Sequence, residues 1–436
     1  MSRWRGFNPY SSLQGLPREA WVLCGAVLVN RMGTMVIPFL ILYLTHDLGQ
    51  SPSRAALAMA VYGLGAVATA PFAGRLADRI GPRRIVTTSL LSAGLLLLPY
   101  PWLRSYPAIL ALTFIWSVAG EALRPATLSW ISGVVKPSQR RAAFALNRLA
   151  VNLGMSIGPA VAGFIVERSF AAIFFLDALT SILSGVIVLF ATKELLPTAS
   201  GASARRAAGA LPGTPDDPAG GANLSVSAGT DSATSPSPGA GAKGKRAMRD
   251  RSFLYFLLGC LPVQIVFFQH ASTLPLYLVR DLGLTESMYG MMFTINTLLI
   301  ITLEVPLNGA TSAWSHRRTL ALGALLTGLG FGGVGLVHSA AGVALMVVVW
   351  TFGEMVLLPG SAAFAADIAP SERRGEYLGL YSMSFSGAFA IAPWLGARTM
   401  ELLSPRALWA AAALCGVLSA LLLSRVRPAR HSAPAV

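Results

Sequence analysis

The sequence predicts an all-α membrane protein of twelve transmembrane helices arranged in two pseudo-symmetric six-helix bundles. Three observations lead to this prediction: an apolar composition, apolar runs of helical length, and an internal repeat. Hydrophobic residues make up 54% of the 436 residues and charged residues 12%, about half the charged share of a soluble domain. The mean hydropathy is +0.60. A soluble core of this size would not bury so much apolar surface.

The apolar residues are grouped in runs of about twenty, the length that an α-helix needs to cross a bilayer. Because lipid offers no water to unpaired backbone groups, these runs are predicted to be helices. The predicted segments are 21–44, 55–74, 85–103, 107–135, 142–166, 170–191, 253–278, 288–310, 319–337, 339–367, 375–398 and 406–424. The first segment is too long for the apolar region of a signal peptide, so we expect it to remain in the mature protein.

A long polar stretch divides these segments into two groups of six. Residues 192–252 are rich in Gly, Ala, Ser and Pro, a composition that buries too little apolar surface to offset the entropy of ordering. We therefore predict a bundle at 1–191, a flexible cytoplasmic linker at 192–252 and a second bundle at 253–436.

The two groups of segments repeat one pattern. The octet "LYLTHDLG" at 42–49 returns as "LYLVRDLG" at 276–283, a shift of 234 positions. Trp116 and Trp350 have the same spacing, and "KPSQRR" at 136–141 returns as "APSERR" at 369–374. Matches in one register across five segments indicate a duplicated six-helix unit. Two parallel repeats of this kind are typical of secondary transporters.

The basic residues predict the orientation of the chain in the membrane. The formal net charge is +15, and with the N-terminus in the cytoplasm the inner segments hold 25 of the 34 Lys and Arg residues while the outer loops hold 6. This asymmetry predicts a multi-pass protein of the inner (cytoplasmic) membrane with both termini cytoplasmic. We interpret the basic residues as topology determinants that contact membrane lipids, and we expect no nucleic-acid partner.

The cysteines and the polar residues give no sign of an enzyme. Cys24, Cys260 and Cys415 lie in apolar segments without metal-ligand spacing, so we expect neither a disulfide nor a metal site. No nucleophile–base pair or phosphate-binding loop is recognisable, since the glycine-rich stretches lie inside apolar helices. The sequence therefore predicts a non-enzymatic protein without a cofactor.

The stretch "GRLADRIGPRR" at 74–84 resembles the signature loop of the major facilitator superfamily, G-x-L-a-D-r-x-G-r-k. The matching positions are Gly74, Leu76, Ala77, Asp78, Arg79, Gly81 and Arg83. Pro82 stands where the family usually has a basic residue. The resemblance implies the major facilitator fold, and it implies that Gly74, Asp78, Arg79, Gly81 and Arg83 form a conformational latch on the cytoplasmic side. In the family, the partners of the aspartate include the start of the eleventh helix.

The stretch "NLGMSIGPAVAG" at 152–163 resembles the antiporter motif of the drug–proton branch, G-x-x-x-G-P-x-x-G-G. Gly154, Gly158, Pro159 and Gly163 match, and Ala162 replaces one glycine. Small residues at this spacing also allow helices to pack closely in any membrane protein. The chain departs from the branch at Trp116, where drug antiporters often have an arginine.

Ionisable residues inside the predicted segments are candidates for function, because a charge at the bilayer centre costs about 2.5–3.5 kcal/mol on insertion scales. Glu121 and Glu354 lie 233 positions apart, so they occupy equivalent places in the two repeats. A carboxyl group in a low-dielectric cavity binds a proton more readily than it does in water. We predict that Glu121, Glu354 and His270 couple transport to protons.

Other polar or aromatic residues of the segments are predicted to line a substrate cavity, since the resemblance implies that helices 1, 4, 7 and 10 surround one. These residues are Asn30, Arg31, Arg124, Asn147, Arg148, Gln269 and Trp350. Alternatives remain open for several of them. Glu121 can instead form a fixed ion pair with Arg124 three residues later, and His270 and Arg148 can instead bond to neighbouring helices. Asp177 and Glu304 lie nearer the segment ends, where structural pairing is favoured.

Residues and resemblance together predict a proton-coupled exporter of amphipathic or cationic small molecules that works by alternating access. The alternative on the same fold is an importer or exchanger of a nutrient, peptide or lipid-like anionic solute, which Arg31, Arg124 and Arg148 would suit. A non-transporting receptor is disfavoured by the buried charges. The expected ligands are a small-molecule substrate and protons, and the protein is expected to be a monomer.

Overall fold

The computed structural model describes residues 15–136, 139–192, 247–311, 313–370 and 373–426. Within helices, the side chains at 70–71, 73–75, 77–79, 141 and 374 also lie outside the described part. The predicted linker falls almost entirely on residues outside it. All regular secondary structure in the described residues is helical.

The described residues form twelve long helical stretches. They are α1 (Arg18–Asp47), α2 (Pro52–Ile80), α3 (Pro82–Trp102), α4 (Tyr106–Val134), α5 (Arg140–Val166), α6 (Phe170–Ala191), α7 (Arg251–Ala271), α8 (Glu286–Thr311), α9 (His316–Leu336), α10 (Ala340–Ile368), α11 (Arg374–Leu402) and α12 (Pro405–Leu423). In the described part, eleven stretches are long and apolar enough to cross a membrane, and α2 is a further 29-residue helix. The helix α2 continues to Ile80, beyond the predicted end at 74, because hydropathy marks where lipid ends and not where a helix ends.

Several helices depart from a single regular rod. The helix α1 is interrupted after Met32 and resumes at Val36, and α4 is interrupted at Ala122. The chain also continues beyond α7 as short helical turns to Asp281. None of these interruptions is predicted from the apolar runs, because hydropathy does not show where a helix is interrupted within the membrane.

Side chains at the start of several helices satisfy backbone amides that have no partner within the helix. The Asp250 carboxylate accepts hydrogen bonds from the amides of Ser252 and Phe253 before α7. Ser339 and Ser404 act in the same way at α10 and α12. Each such cap stabilises its helix by about 1 kcal/mol.

The repeated octet ends a helical stretch in each half of the chain. In both halves it forms a π-helical turn, at Tyr43–Asp47 and at Tyr277–Asp281. It then turns through a glycine in the left-handed region, with φ of 61° at Gly49 and 64° at Gly283. Because residues with a Cβ rarely adopt this conformation, the terminal glycine of the octet serves the same purpose in each half.

The helices pack as two six-helix bundles that meet along two seams, α5 against α8 and α2 against α11. Both seams bring backbones into contact through small residues. A Cβ added to Gly290 in α8 would lie 2.3 Å from the Pro159 carbonyl oxygen in α5, and one added to Gly63 in α2 would lie 2.8 Å from the Ala390 Cα in α11. Further apolar contact joins the bundles at Phe39 and Tyr289, whose ring centroids are 5.2 Å apart.

Candidate functional site

A polar cavity of about 60 Å³ lies inside the first bundle, among α1, α2, α3, α4 and α6. It has room for about two water molecules at liquid density. The polar and aromatic side chains that line it include Asn30, Arg31, Tyr62, Trp116, Glu121, Arg124, Asp177 and Ser181. Of the predicted cavity and proton-coupling residues, the structure thus brings together Asn30, Arg31, Arg124 and Glu121.

Glu121 is held by a tyrosine and not by its neighbouring arginine. The Tyr62 hydroxyl in α2 donates a hydrogen bond of 2.9 Å to Glu121 Oε1. Among the described residues, no ion pair within 4.0 Å joins Glu121 to Arg124. Helix α4 is interrupted at Ala122, between the two residues.

Glu354 has an equivalent arrangement in the second bundle. The Asn296 side-chain amide in α8 donates to Glu354 Oε2 at 2.9 Å and to the Thr351 hydroxyl oxygen at 2.9 Å. Asn296 stands 234 positions after Tyr62 and Glu354 stands 233 after Glu121. Each bundle therefore holds a carboxyl group on its fourth helix with a donor from its second helix.

The two carboxyl groups differ in their surroundings. Glu121 is half-buried and lines the polar cavity, whereas Glu354 is 4% exposed and packs between α10 and α8. Tyr62 and Asn296 are absent from the sequence-based prediction. The repeat would have identified them, because it relates Tyr62 to Asn296. Both are polar residues on helices that are not expected to line a cavity.

Asp177 stabilises the interruption in α1 next to this cavity. Its Oδ2 accepts hydrogen bonds of 3.2 Å from the amides of both Met35 and Val36, where α1 resumes. The Asn30 side-chain amide donates to Ser181 Oγ at 3.0 Å. Helix α6 thereby fixes the interrupted region of α1, in keeping with a structural role for Asp177.

Arg31 is the cavity residue with an unused donor. It interacts electrostatically with Arg124, Glu121 and Asp177, but its buried Nε has no hydrogen-bond partner in the part of the chain that the structure describes. A buried donor left unpaired carries a desolvation cost of about 1–3 kcal/mol. Because Glu121 and Asp177 line the same cavity as the two arginines, the unused donor of Arg31 favours a ligand that brings a hydrogen-bond acceptor.

Arg148 pairs across the two bundles and does not line this cavity. Its guanidinium in α5 forms an ion pair with Glu304 in α8, whose side chain is only 3% exposed. The structural pairing expected for Glu304 thus occurs with a residue that the sequence predicts for the substrate cavity. The neighbouring Asn147 is half-buried, and its Oδ1 has no hydrogen-bond partner among the described residues.

The remaining predicted residues of the second bundle pack within it. Gln269 donates to the Ala392 carbonyl oxygen at 2.9 Å and accepts from the Thr273 hydroxyl at 2.7 Å. Trp350 stacks on Phe331 with ring centroids 4.5 Å apart. Neither side chain lines the polar cavity of the first bundle.

His270 lies in an aromatic environment at the end of α7. Its Nδ1 is 2.7 Å from the Phe267 carbonyl oxygen. The rings of Phe267, Phe268 and Phe293 surround it, with centroids between 4.9 and 6.4 Å away. This geometry agrees with the alternative interpretation of a hydrogen-bonded packing residue, and proton coupling through His270 stays a prediction.

The predicted cytoplasmic latch is only partly described. Gly74, Asp78 and Arg79 lie in α2, and their side chains are outside the described residues. Gly81 has a φ of 94° and connects α2 to α3, so the turn requires a glycine. The latch itself stays a prediction.

Arg83, the fifth residue of that motif, contacts its own bundle. Its Nε donates to Thr192 Oγ1 at 3.1 Å and its Nη2 to the Leu189 carbonyl oxygen at 2.6 Å. The repeat-equivalent Arg317 donates to the Val426 carbonyl oxygen at 2.6 Å. Both arginines therefore bind the carboxyl end of the sixth helix of their bundle, where a cation is favourable.

The glycines of the antiporter motif bring α5 against the interrupted part of α1. A Cβ added to Gly154 would lie 2.4 Å from the Arg31 Cβ, and one added to Gly158 would lie 2.7 Å from the Met32 carbonyl oxygen. Towards the other end of α5, a Cβ on Gly163 would lie 2.6 Å from the backbone oxygen of Glu286 in α8. The motif thus positions Arg31 and also forms part of the seam between the bundles.

Gly154→Ala is expected to lower the apparent melting temperature in detergent, because overpacking at a backbone contact costs about 1–3 kcal/mol. Gly25→Ala in α1 is the matched control, since a Cβ there has nothing within 4 Å. Thermal unfolding followed by tryptophan fluorescence measures both variants. Equal melting temperatures for the two variants would show that the close approach of α5 to α1 is not required.

Comparison with known proteins places the chain in a family. The model of the Major Facilitator Superfamily matches residues 23–285 and 258–435. An uncharacterised transporter of this superfamily, YqjV of Bacillus subtilis (strain 168), is 22% identical over 92% of this chain and 89% of its own length. A Na⁺, Li⁺, K⁺/H⁺ antiporter of Planococcus maritimus is 23% identical over 85% of this chain and 87% of its own.

Another relative is the multidrug resistance protein MdtH of Proteus mirabilis (strain HI4320), 22% identical over 81% of this chain and 80% of its own length. Among solved structures, a POT family transporter in complex with 5-aminolevulinic acid superimposes with a TM-score of 0.73 at 18% identity, covering 93% of this chain and 95% of that one. At this identity the likeness concerns the fold alone. The chain belongs to the Major Facilitator Superfamily and is a multi-pass membrane transporter.

Proposed function

We propose that this transporter couples the inward movement of protons to the export of amphipathic or cationic small molecules. The observation that carries the proposal is the pair of membrane-embedded carboxyl groups at equivalent positions of the two bundles. Glu121 accepts a hydrogen bond from Tyr62, and Glu354 accepts one from Asn296, each at 2.9 Å. Neither carboxyl group has an arginine or lysine within 4.0 Å among the described residues.

This arrangement suits a group that binds and releases a proton. A carboxyl group removed from water favours its neutral form, and a permanent counter-ion would oppose that effect. A tyrosine hydroxyl or an asparagine amide stabilises a charged carboxylate more weakly than an arginine in direct contact does. In a transporter that works by alternating access, such a group would be loaded from one side of the membrane and unloaded to the other.

The direction of transport is supported by the antiporter motif and by relatives. Gly154 and Gly158 pack α5 tightly against α1 beside the cavity, and the motif resembles that of drug–proton antiporters. One relative is named as a cation/proton antiporter and another as a multidrug resistance protein. Export by exchange with protons is the function in which these features agree.

A second candidate, transport of an anionic solute, is favoured by the two arginines of the cavity. Arg31 retains a buried Nε without a hydrogen-bond partner in the described part, and Arg124 lines the same space. A carboxylate or phosphate would satisfy that donor with a charge-assisted hydrogen bond. A zwitterionic or anionic substrate would therefore bind nearer to α1 and α4 than to Glu354.

Purified protein in liposomes under an imposed pH gradient tests both candidates. We expect a cationic amphipathic dye to move against its gradient while an internal pH indicator reports proton flow in the opposite direction. Liposomes without protein, and liposomes treated with a protonophore, are the controls. Proton flow driven only by anionic substrates would favour the second candidate, and substrate movement that ignores the protonophore would exclude proton coupling.

A further inference from the structure

Two carboxylates join the bundles at the ends of the helices opposite the predicted cytoplasmic side. Glu167 follows α5, and its Oε1 accepts a hydrogen bond of 3.2 Å from the amide of Ser287 in the first turn of α8. Glu401 lies near the end of α11, and its Oε1 accepts one of 2.8 Å from the amide of Ser53 in the first turn of α2. The Ser53 hydroxyl donates to the other carboxylate oxygen of Glu401. Each bundle thus supplies one carboxylate to a helix of the other.

The two contacts are copies of each other. Glu401 stands 234 positions after Glu167, and Ser287 stands 234 after Ser53. The capping residues obey the same relation, since Ser51 accepts from the amide of Arg54 and Thr285 from that of Met288, each at 3.3 Å. In both copies, the helix start therefore has one capping side chain of its own and one carboxylate from the opposite bundle. We name these two contacts the outer clasps.

A negative charge at a helix start is favourable, because the first backbone amides have no partner within the helix and point towards it. The α2 and α8 starts follow the repeated octets and face the outside in the orientation that the basic residues predict. The carboxylates of Glu167 and Glu401 are themselves exposed to water, and any motion that separates the outer ends of the bundles breaks both contacts at once.

We propose that Glu167 and Glu401 are paired gate residues whose clasps hold the outer side closed, and that opening to the outside requires both clasps to release. The proposal rests on alternating access, which the superfamily implies, and not on the proposed substrate or on proton coupling. It assigns a role in transport to residues that line neither the polar cavity nor the surroundings of Glu121 and Glu354.

The surroundings of the clasps decide how they respond to pH. Around Glu167 lie His46, Asp47, Arg168 and Glu286, and Arg398 lies 3.5 Å from Glu401. Arg54 adjoins the Ser53 clasp in the first turn of α2. Hydrogen bonds from Ser287 hold the pKa of Glu167 below its ordinary value. Its contribution to the closed state is therefore complete above the ordinary glutamate pKa and disappears as pH falls through the lowered value. At neutral pH both clasps are intact.

Distance measurements between spin labels test the proposal without substrate or a pH gradient. Labels are placed at Trp102 and Leu336, which are 69% and 81% exposed at the outer ends of α3 and α9, in a background lacking Cys24, Cys260 and Cys415. We expect Glu167→Ala and Glu401→Ala each to raise the ratio of long to short distances about fivefold at neutral pH. This is the size of effect expected when a charge-assisted hydrogen bond is lost at a site exposed to solvent. The double variant is expected to reach about 25-fold, because separated sites add.

Glu286→Ala is the matched control, since it removes a carboxylate next to Ser287 that makes no described contact with the first bundle through its side chain. It is expected to leave the distances unchanged. Ser53→Ala removes only a hydroxyl group, so it tests the proposal even if the glutamate variants fail to fold. It is expected to raise the ratio of long to short distances by a smaller factor. Distances in the double variant that equal those of Glu286→Ala would overturn the proposal. Failure of pH-driven transport with the shifts present would instead count against the proposed function alone.

Discussion

Replacing Glu354 by glutamine is expected to abolish transport driven by a pH gradient while leaving the fold intact. Glutamine has the same shape and still offers an oxygen to the Asn296 amide that now donates to Glu354 at 2.9 Å. It removes only the ability to carry a proton between the two sides of the membrane. Proteoliposomes with an internal pH indicator measure the loss, and gel filtration with thermal unfolding checks that the protein is folded.

Two comparisons sharpen this experiment. Glu121→Gln makes the same change at the equivalent position of the first bundle, where Tyr62 is the donor, so the pair of variants identifies which carboxyl group carries the proton. Glu286→Gln is the control, because Glu286 is half-buried in the first turn of α8, at the outer end of that helix. Undiminished proton-coupled transport by Glu354→Gln would exclude Glu354 from coupling, and the same result for both carboxyl groups would defeat the proposed mechanism.

Arg148→Met is expected to destabilise the protein strongly, because it leaves the carboxylate of Glu304 without its counter-charge. The Glu304 side chain is only 3% exposed, and removal of one partner of a buried ion pair costs about 3–5 kcal/mol. The double variant Arg148→Met/Glu304→Met is expected to regain most of the lost stability, since two apolar side chains at such a site often replace an ion pair without loss. Apparent melting temperatures in detergent measure all three proteins.

Arg104→Met is the control for this pair, because Arg104 is exposed just beyond the outer end of α3 and donates to the nearby Pro101 carbonyl oxygen of its own bundle. A decrease for Arg104→Met as large as that for Arg148→Met would indicate a general effect of losing an arginine. A double variant as unstable as Arg148→Met would show that the loss of the ion pair itself lowers the stability, and not the burial of a Glu304 carboxylate that has lost its partner.

The sequence predicts the helices and their duplication because both are properties of position along the chain. The bilayer sets the length of an apolar run, and the octets at 42–49 and 276–283 preserve the helix end that both halves need. The fold class and the superfamily are confirmed. The bounds of most helices agree to within a few residues, apart from the ends of α2 and α7.

The sequence predicts the candidate site less well, because the rotation of an apolar helix about its axis is not visible in its hydropathy. Gln269 and Trp350 belong to predicted cavity-lining helices, yet the structure packs both inside the second bundle. The interruption at Ala122 is not visible in the hydropathy either, since it occurs where Pro125 has no amide hydrogen to donate to the Glu121 carbonyl oxygen. Hydropathy does not identify Tyr62 and Asn296 either, and only their equivalent positions in the repeat, 234 apart, connect them.

Among the side chains that the structure describes, the ion pair between Arg148 and Glu304 has no counterpart at the second seam. The positions related to them by the repeat, 382 and 70, hold a serine and an alanine, so α2 and α11 meet without charges there. A rocking motion that pivots along α5 and α8 preserves the ion pair, whereas one that pivots along α2 and α11 pulls a buried carboxylate away from its arginine. The ion pair therefore favours α5 and α8 as the pivot within the membrane, although an outer clasp lies at the end of each seam.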